Sequence, residues 1–293
     1  MKKLPILNLD QFQPAYETES FYANTFAEHL KKNHHSITIP HKHNFYVTVL
    51  FTKGSGFHEI DFTTYVIKPN SIFLLKPGQT HHWEFTEDPE GYIFFHSQSF
   101  YETTYTNRTL NHFPFFYSSQ NSPCYYLETK ASMFFENLFK TVFNDFSSNK
   151  LMKQQKLCSL IDLIYIELTQ LTTEQNKNTM VKSKNYAIKI HELEQLIEEN
   201  YITEKSPKAY AKMMNMSPKH LNRICKETLD KTTSSLIAER LVLEAKRLLI
   251  YSKSNFSEIA WALGYKDYAY FSRVFKNNCG YTPSTFQKMQ LKA

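Results

Sequence analysis

The sequence predicts an α+β protein of two domains: an antiparallel β-barrel carrying a helical hairpin, then an all-α domain. Three observations lead there. Between residues 36 and 95, short runs rich in Val, Ile, Phe, Tyr and Thr (SITI, FYVTVLF, GFHEIDF, TTYVI, SIFLL, GYIFF) alternate with turn sequences such as KGSG, KPN and KPGQ. Beyond residue 130 the apolar spacing lengthens to three and four, the period of an amphipathic helix. Beyond residue 185 everything reads as helix, and a stretch there repeats at an offset of fifty residues.

Composition narrows the classes. At 293 residues, with 42% apolar and 21% charged side chains, the chain is long enough for two cores and is neither disordered nor fibrous. No apolar run approaches the ~18 residues of a membrane helix, and MKKLPILNLDQF lacks the apolar stretch of a secretion signal. The cysteines at 124, 158, 225 and 279 form no CxxC pair, so the expected setting is reducing and cytoplasmic. Residues 182–293 carry 19 Lys and Arg against 11 Asp and Glu, whereas residues 1–181 carry 15 against 17. The positive half is the candidate for a polyanion. Histidine splits the other way, with ten of the twelve before residue 182.

In the hairpin, Phe135, Leu138, Phe139, Val142 and Phe146 form one stripe and Leu157, Leu160, Ile161, Ile164, Leu168 and Leu171 a second, with a break at SSNK. The stripes either pair two chains as a homodimer or pack on the barrel. The polar, aperiodic stretch that follows sets the expected boundaries: 1–172 for ligand sensing and dimerisation, 173–185 as linker, and 186–293 as the helical domain.

In the repeat, SPKHLNRICKETLDKTTSSL aligns with DYAYFSRVFKNNCGYTPSTF. Each copy opens on a good N-cap, Ser217 or Asp267, and buries matching positions: Leu221, Ile224 and Cys225 against Phe271, Val274 and Phe275. Each closes at a position suited to a left-handed cap, Asp230 or Gly280. Shorter helices precede them, turning at Asn215-Met216 and at Gly264-Tyr265. Helix, tight turn and second helix make a helix-turn-helix. Two in register, joined by one long helix over about 234–250, form a double module for DNA. The outer stripes supply the candidate DNA-binding residues: Lys219, His220, Asn222, Arg223 and Lys226 in one copy, Tyr268, Ala269, Ser272, Arg273 and Lys276 in the other. Arg and Asn side chains match guanine and adenine edges in the major groove, and the lysines match phosphates.

The stretch IAERLVLEAKRLLIYSKSNFSEIAWALGYKDYAYFSRVFKNNCGYTPSTFQ resembles the C-terminal domain of AraC/XylS-type transcription regulators, over about residues 188–288. Departures are Asp230 in place of the usual Gly, Cys225 where an aromatic is common, and Gln287 at a position usually Arg. PHKHNFYVTVLFTKGSGFHEIDF with SIFLLKPGQTHHWEF resembles the cupin-type barrel that such regulators carry as a sensor. The resemblance implies a regulator of promoter DNA controlled by a small-molecule effector, with RNA polymerase as a further partner. His41 and His43 share one strand face, and His81 or His82, with Trp83, follows a Pro-Gly turn. These five are the candidate effector-binding residues. No acidic residue occurs in 45–50, where a metal-binding cupin carries Glu, so neither metal nor other cofactor is expected. No GxSxG, Cys/His pair or phosphate-binding glycine loop is present, and the expected protein is no enzyme. A metal-dependent cupin enzyme with an attached DNA-binding domain is the alternative, and a weakly selective architectural DNA binder a third reading.

Overall fold

A computed structural model describes residues 4–12, 20–37, 39–104, 109–118, 120–175 and 184–291. The chain divides into two compact units at Asn178/Thr179. Most of the linker expected over 173–185 lies outside the described residues, as do the side chains of His34 and His35.

The N-terminal unit is built on β1 (Ile6–Leu7), β2 (Phe21–Thr25), β3 (Lys42–His43), β4 (Tyr46–Ile60), β5 (Thr63–Ile67), β6 (Ser71–Leu75), β7 (His81–His96) and β8 (Cys124–Tyr126). A six-stranded antiparallel sheet runs β2-β7-β4-β6-β8 with β5 added to β4, and β1 pairs with β3 in parallel. No hydrogen bonds join edge strands β2 and β8, so among the described residues the barrel expected from the sequence is an open sheet. The reason lies in β4 and β7, which pair along almost their whole length with register shifts between Phe51 and Gly56. Opposite this bend, a Cβ on Gly91 would stand 1.9 Å from the Leu50 carbonyl oxygen. The bent hairpin rolls both of its halves around one core, so Val49, Phe51, Ile60 and Trp83 share a cluster without strand closure.

The alternate face of the sheet is buried as well. Leu50, Ile72, Leu74 and Phe94 pack against α4 (Thr129–Phe146) and α5 (Lys153–Gln175), which follow α1 (Phe26–Ile37), α2 (Gln98–Glu102) and α3 (Pro114–Tyr117). Phe135, Phe139, Val142, Leu157, Ile161, Ile164 and Leu168 all belong to this core. The hairpin stripes therefore pack on the sheet, which settles their role within the chain. Tyr165 anchors the contact: its hydroxyl lies 3.0 Å from Thr48 Oγ1 and 2.8 Å from His96 Nε2. Of the run SITI, expected as a strand, Ser36 and Ile37 instead end α1. Phe26, His29 and Ile37 are buried at helical spacing, and that packing outweighs the β propensity of Ile37.

The C-terminal unit is all helix: α6 (Lys184–Asn200), α7 (Pro207–Met213), α8 (Pro218–Leu229), α9 (Thr233–Tyr251), α10 (Phe256–Ala262), α11 (Tyr268–Cys279) and α12 (Pro283–Gln290). Helix α9 is the common spine, burying Leu236, Ile237, Leu241, Val242, Ala245 and Leu249, with Leu248 half-buried. Arg240 ties α9 to α6 by a two-point ion pair with Glu198 and stacks over Tyr201 just beyond α6, while Glu244 on α9 itself holds the guanidinium at 3.2 Å.

Candidate nucleic-acid interface and ligand pocket

Helices α8 and α11 begin and end as the repeat predicts. Ser217 Oγ accepts from the His220 N–H, and the Asp267 carboxylate accepts from the N–H groups of Ala269 and Tyr270. Both helices close on a left-handed residue, Asp230 at φ 52° and Gly280 at φ 82°. Asp adopts this conformation with little strain, so its departure from Gly leaves the end of α8 intact. The interhelical turns hold Asn215 and Gly264 at φ 53° and 75°.

Lys219, His220, Arg223 and Lys226 stand exposed on α8, and Ala269, Arg273 and Lys276 on α11. Three further residues of the expected set, Asn222, Tyr268 and Ser272, are half-buried. Asn222 is half-buried, and its Oδ1 accepts from the backbone N–H of Thr233 at 3.2 Å, satisfying one of the unpaired donors at the start of α9. Tyr268 is half-buried and stacks on Phe256 at 6.0 Å and 20°. Ser272 is half-buried at the position equivalent to Asn222. Lys226 folds back on its own cap, with Nζ 3.3 Å from the Asp230 carbonyl oxygen. Asn222→Ala is expected to cost about 1 kcal/mol of stability without DNA present, read by thermal denaturation of the C-terminal unit's transition. Unchanged stability would show the Thr233 contact to be idle. Sequence reasoning missed Tyr270, which is 55% exposed with the Arg273 guanidinium 6.0 Å from its ring. The repeat contained the signal, because fifty residues separate it from His220.

In the N-terminal unit His41, His43 and His81 come together. His41 and His81 exchange backbone hydrogen bonds of 3.0 and 2.9 Å, and the His81 ring lies 4.3 Å from that of His41 and 5.0 Å from that of His43. His82 faces the other way, with Nε2 3.7 Å from a Glu84 carboxylate oxygen, so strand alternation selects His81 as the inward residue of the pair. Trp83 is buried beside them. His58 and His29 join the group, unforeseen from the sequence. His58 Nε2 lies 3.0 Å from His81 Nδ1, and α1 brings in His29. The GFHEI alternation in β4, with His58 between Gly56 and Ile60, was the available signal. Burial drives these imidazoles toward the neutral form: His41 to about 4, His43 and His29 to about 3, and His58 and His81 well below the usual value. Among the described residues, no three His, Cys, Asp or Glu side chains are placed to hold one metal ion, so this donor set does not fit a cupin metal.

A tandem helix-turn-helix on a helical spine defines a DNA-binding protein, here in one chain with a β-domain whose pocket is lined by aromatic, aliphatic and histidine side chains. Residues 210–289 match the helix-turn-helix domain model, and residues 25–98 match the AraC-like ligand binding domain model. The chain belongs to the AraC family of transcription regulators. It is 22% identical over 244 residues to the arabinose operon regulatory protein of Escherichia coli, covering 83% of this chain and 80% of that one. It is 23% identical to the transcriptional regulator YfiF of Bacillus subtilis, covering 92% and 84%. To the raffinose operon regulator RafR of Pediococcus pentosaceus it is 28% identical, over 48% and 50% of the two chains. Among solved structures, ToxT of Vibrio cholerae is similar at 14% identity and a TM-score of 0.43, over 92% of this chain and 98% of that one.

Proposed function

We propose that this AraC-type regulator reads promoter DNA with α8 and α11, and that Lys219, His220 and Arg223 on one helix and Ala269, Tyr270 and Arg273 on the other face the bases. The observation that carries the reading is the pair of equivalent arginines, Arg223 and Arg273. Each is exposed on the outer stripe of a capped helix, fifty residues apart on one spine. Lys226 and Lys276 take phosphates, and Lys226 gives up its cap contact to do so. Asn222, Tyr268 and Ser272 act by positioning these helices. Arg273→Ala is expected to weaken specific binding by about 1–3 kcal/mol and relax base preference at one position. A gel-shift comparison of specific and scrambled duplexes checks this, and unchanged selectivity refutes the assignment.

In the same reading, residues 1–172 sense a small molecule in the pocket around His41, His43, His81 and Trp83, while His82 lies outside it. Residues 186–293 bind DNA. The protein acts in the cytoplasm, engages RNA polymerase at the promoter and performs no catalysis. Homodimerisation shifts from the buried stripes to the outer side of the hairpin, where Met133, Phe134 and Leu163 are 57, 44 and 37% exposed and Leu151 at the helix–helix turn is 94% exposed.

A further inference from the structure

The pocket in the N-terminal unit is almost full. Its free volume is about 10 Å³, room for roughly one water, and the group that fills it is the ring of Phe12. Phe12 sits in a box of aromatic rings, 5.8 Å from Tyr22, 5.5 Å from His29, 5.8 Å from Phe45 and 5.1 Å from Phe95. It ends a single 3-10 turn, Leu9–Phe12, behind a strand paired over two residues.

The polar atoms around the box have a fixed sense. His43 Nδ1 lies 2.6 Å from the Phe45 carbonyl oxygen, which only accepts, so the proton is on Nδ1 and Nε2 is a bare acceptor. The Thr25 N–H donates to Asn24 Oδ1, which turns the Asn24 amide so that Nδ2 donates to the Tyr22 hydroxyl. That hydroxyl, 2.9 Å from His29 Nδ1, then donates a hydrogen bond to the ring nitrogen, so the neutral His29 carries its own proton on Nε2. His43 Nε2, His29 Nε2 and Trp83 Nε1 are all buried without a partner. These three atoms offer one acceptor and two donors beside an aromatic box, the lining His81 adds a further unpartnered Nε2, and among the described residues no Asp, Glu, Lys or Arg lines the pocket. Buried polar atoms left unpaired are costly, so a ligand that pairs them gains what the empty pocket forgoes.

We infer that this pocket takes a neutral phenol-class ring, which displaces Phe12 from the box and places its hydroxyl between His43 and His29. The hydroxyl donates to His43 Nε2 and accepts from the His29 N–H. The inference rests on the reading of this unit as the sensor.

Titration calorimetry on the full chain with phenol, toluene, benzoate and L-arabinose tests it. Phenol is expected to bind one to one, with toluene and benzoate at least about tenfold weaker, since a site built for a hydroxyl rejects analogues that lack it or carry charge. Phe12→Ala is expected to tighten phenol binding by about tenfold, because the competing ring is gone. Absence of phenol binding in both the parent chain and Phe12→Ala overturns the inference. So does toluene binding equal to phenol, preference for benzoate, or binding of arabinose instead. DNA affinity measured on the same samples separates the two claims. Phenol binding with unchanged DNA affinity supports the site and overturns the sensing role.

Discussion

Between pH 6.5 and about 4 the N-terminal unit is expected to lose its structure. In the unfolded chain a histidine binds its proton near pH 6.5. In the folded unit, burial lowers His29 and His43 to about 3 and His41 and His96 to about 4. The unfolded state therefore takes up protons first. The stability these groups supply is complete above pH 6.5 and drains away as the pH falls toward their folded values. At pH 5 each of the four has lost about 2 kcal/mol, together about 8 kcal/mol, against the 5–15 kcal/mol typical of a whole domain. His58 and His81, also held neutral by burial, add to the loss. In the C-terminal unit neither His191 nor His220 is buried. Circular dichroism against pH, with the fluorescence of buried Trp83 as a local reporter, reads this directly. A sheet still intact at pH 4.5 would refute the expectation.

Gly264→Ala is expected to cost the C-terminal unit about 3–4 kcal/mol, enough to lower its melting transition by more than ten degrees. Two costs coincide at this turn. The residue stands at φ 75°, and an added Cβ would lie 2.1 Å from the Ile202 carbonyl oxygen, a backbone atom that cannot swing aside. Gly280→Ala is the matched control. It also sits at positive φ, 82°, yet nothing lies within 4 Å of its added Cβ, so about 1 kcal/mol of backbone strain is the whole effect. Asp230, already holding the equivalent position in α8, shows that a side chain is accepted there. Differential scanning calorimetry of both variants decides it. Equal shifts would mean that the contact with Ile202 does not constrain the turn.

These two expectations mark how far the sequence could be read. The helix-turn-helix units were legible because their determinants are local. Caps at Ser217 and Asp267, left-handed ends at Asp230 and Gly280, and apolar spacing of three and four each act within a few residues and repeat fifty residues apart. The exposed polar positions followed from the same periodicity. The half-burial of Asn222 was not legible because its partner, the Thr233 N–H, belongs to the next helix. The closed barrel failed for a similar reason. Strand runs are visible in sequence, but whether β2 and β8 meet depends on the bend in β4 and β7 and on two cores filling opposite faces of the sheet.

The sequence by itself determined an α+β chain of two parts, the tandem helix-turn-helix module with its exposed polar stripes, and a histidine-rich N-terminal half. Only the tertiary structure decided that His81 rather than His82 joins His41 and His43, that His58 and His29 complete the group, and that Phe12 fills the box beside them. The physical reason is distance along the chain. Helix caps and amphipathic stripes are set by neighbours three or four residues away, whereas the pocket is assembled from α1, the strands and an N-terminal turn far apart in sequence. Its energetics, buried neutral imidazoles with unpaired nitrogens, arise only once those segments have excluded water together.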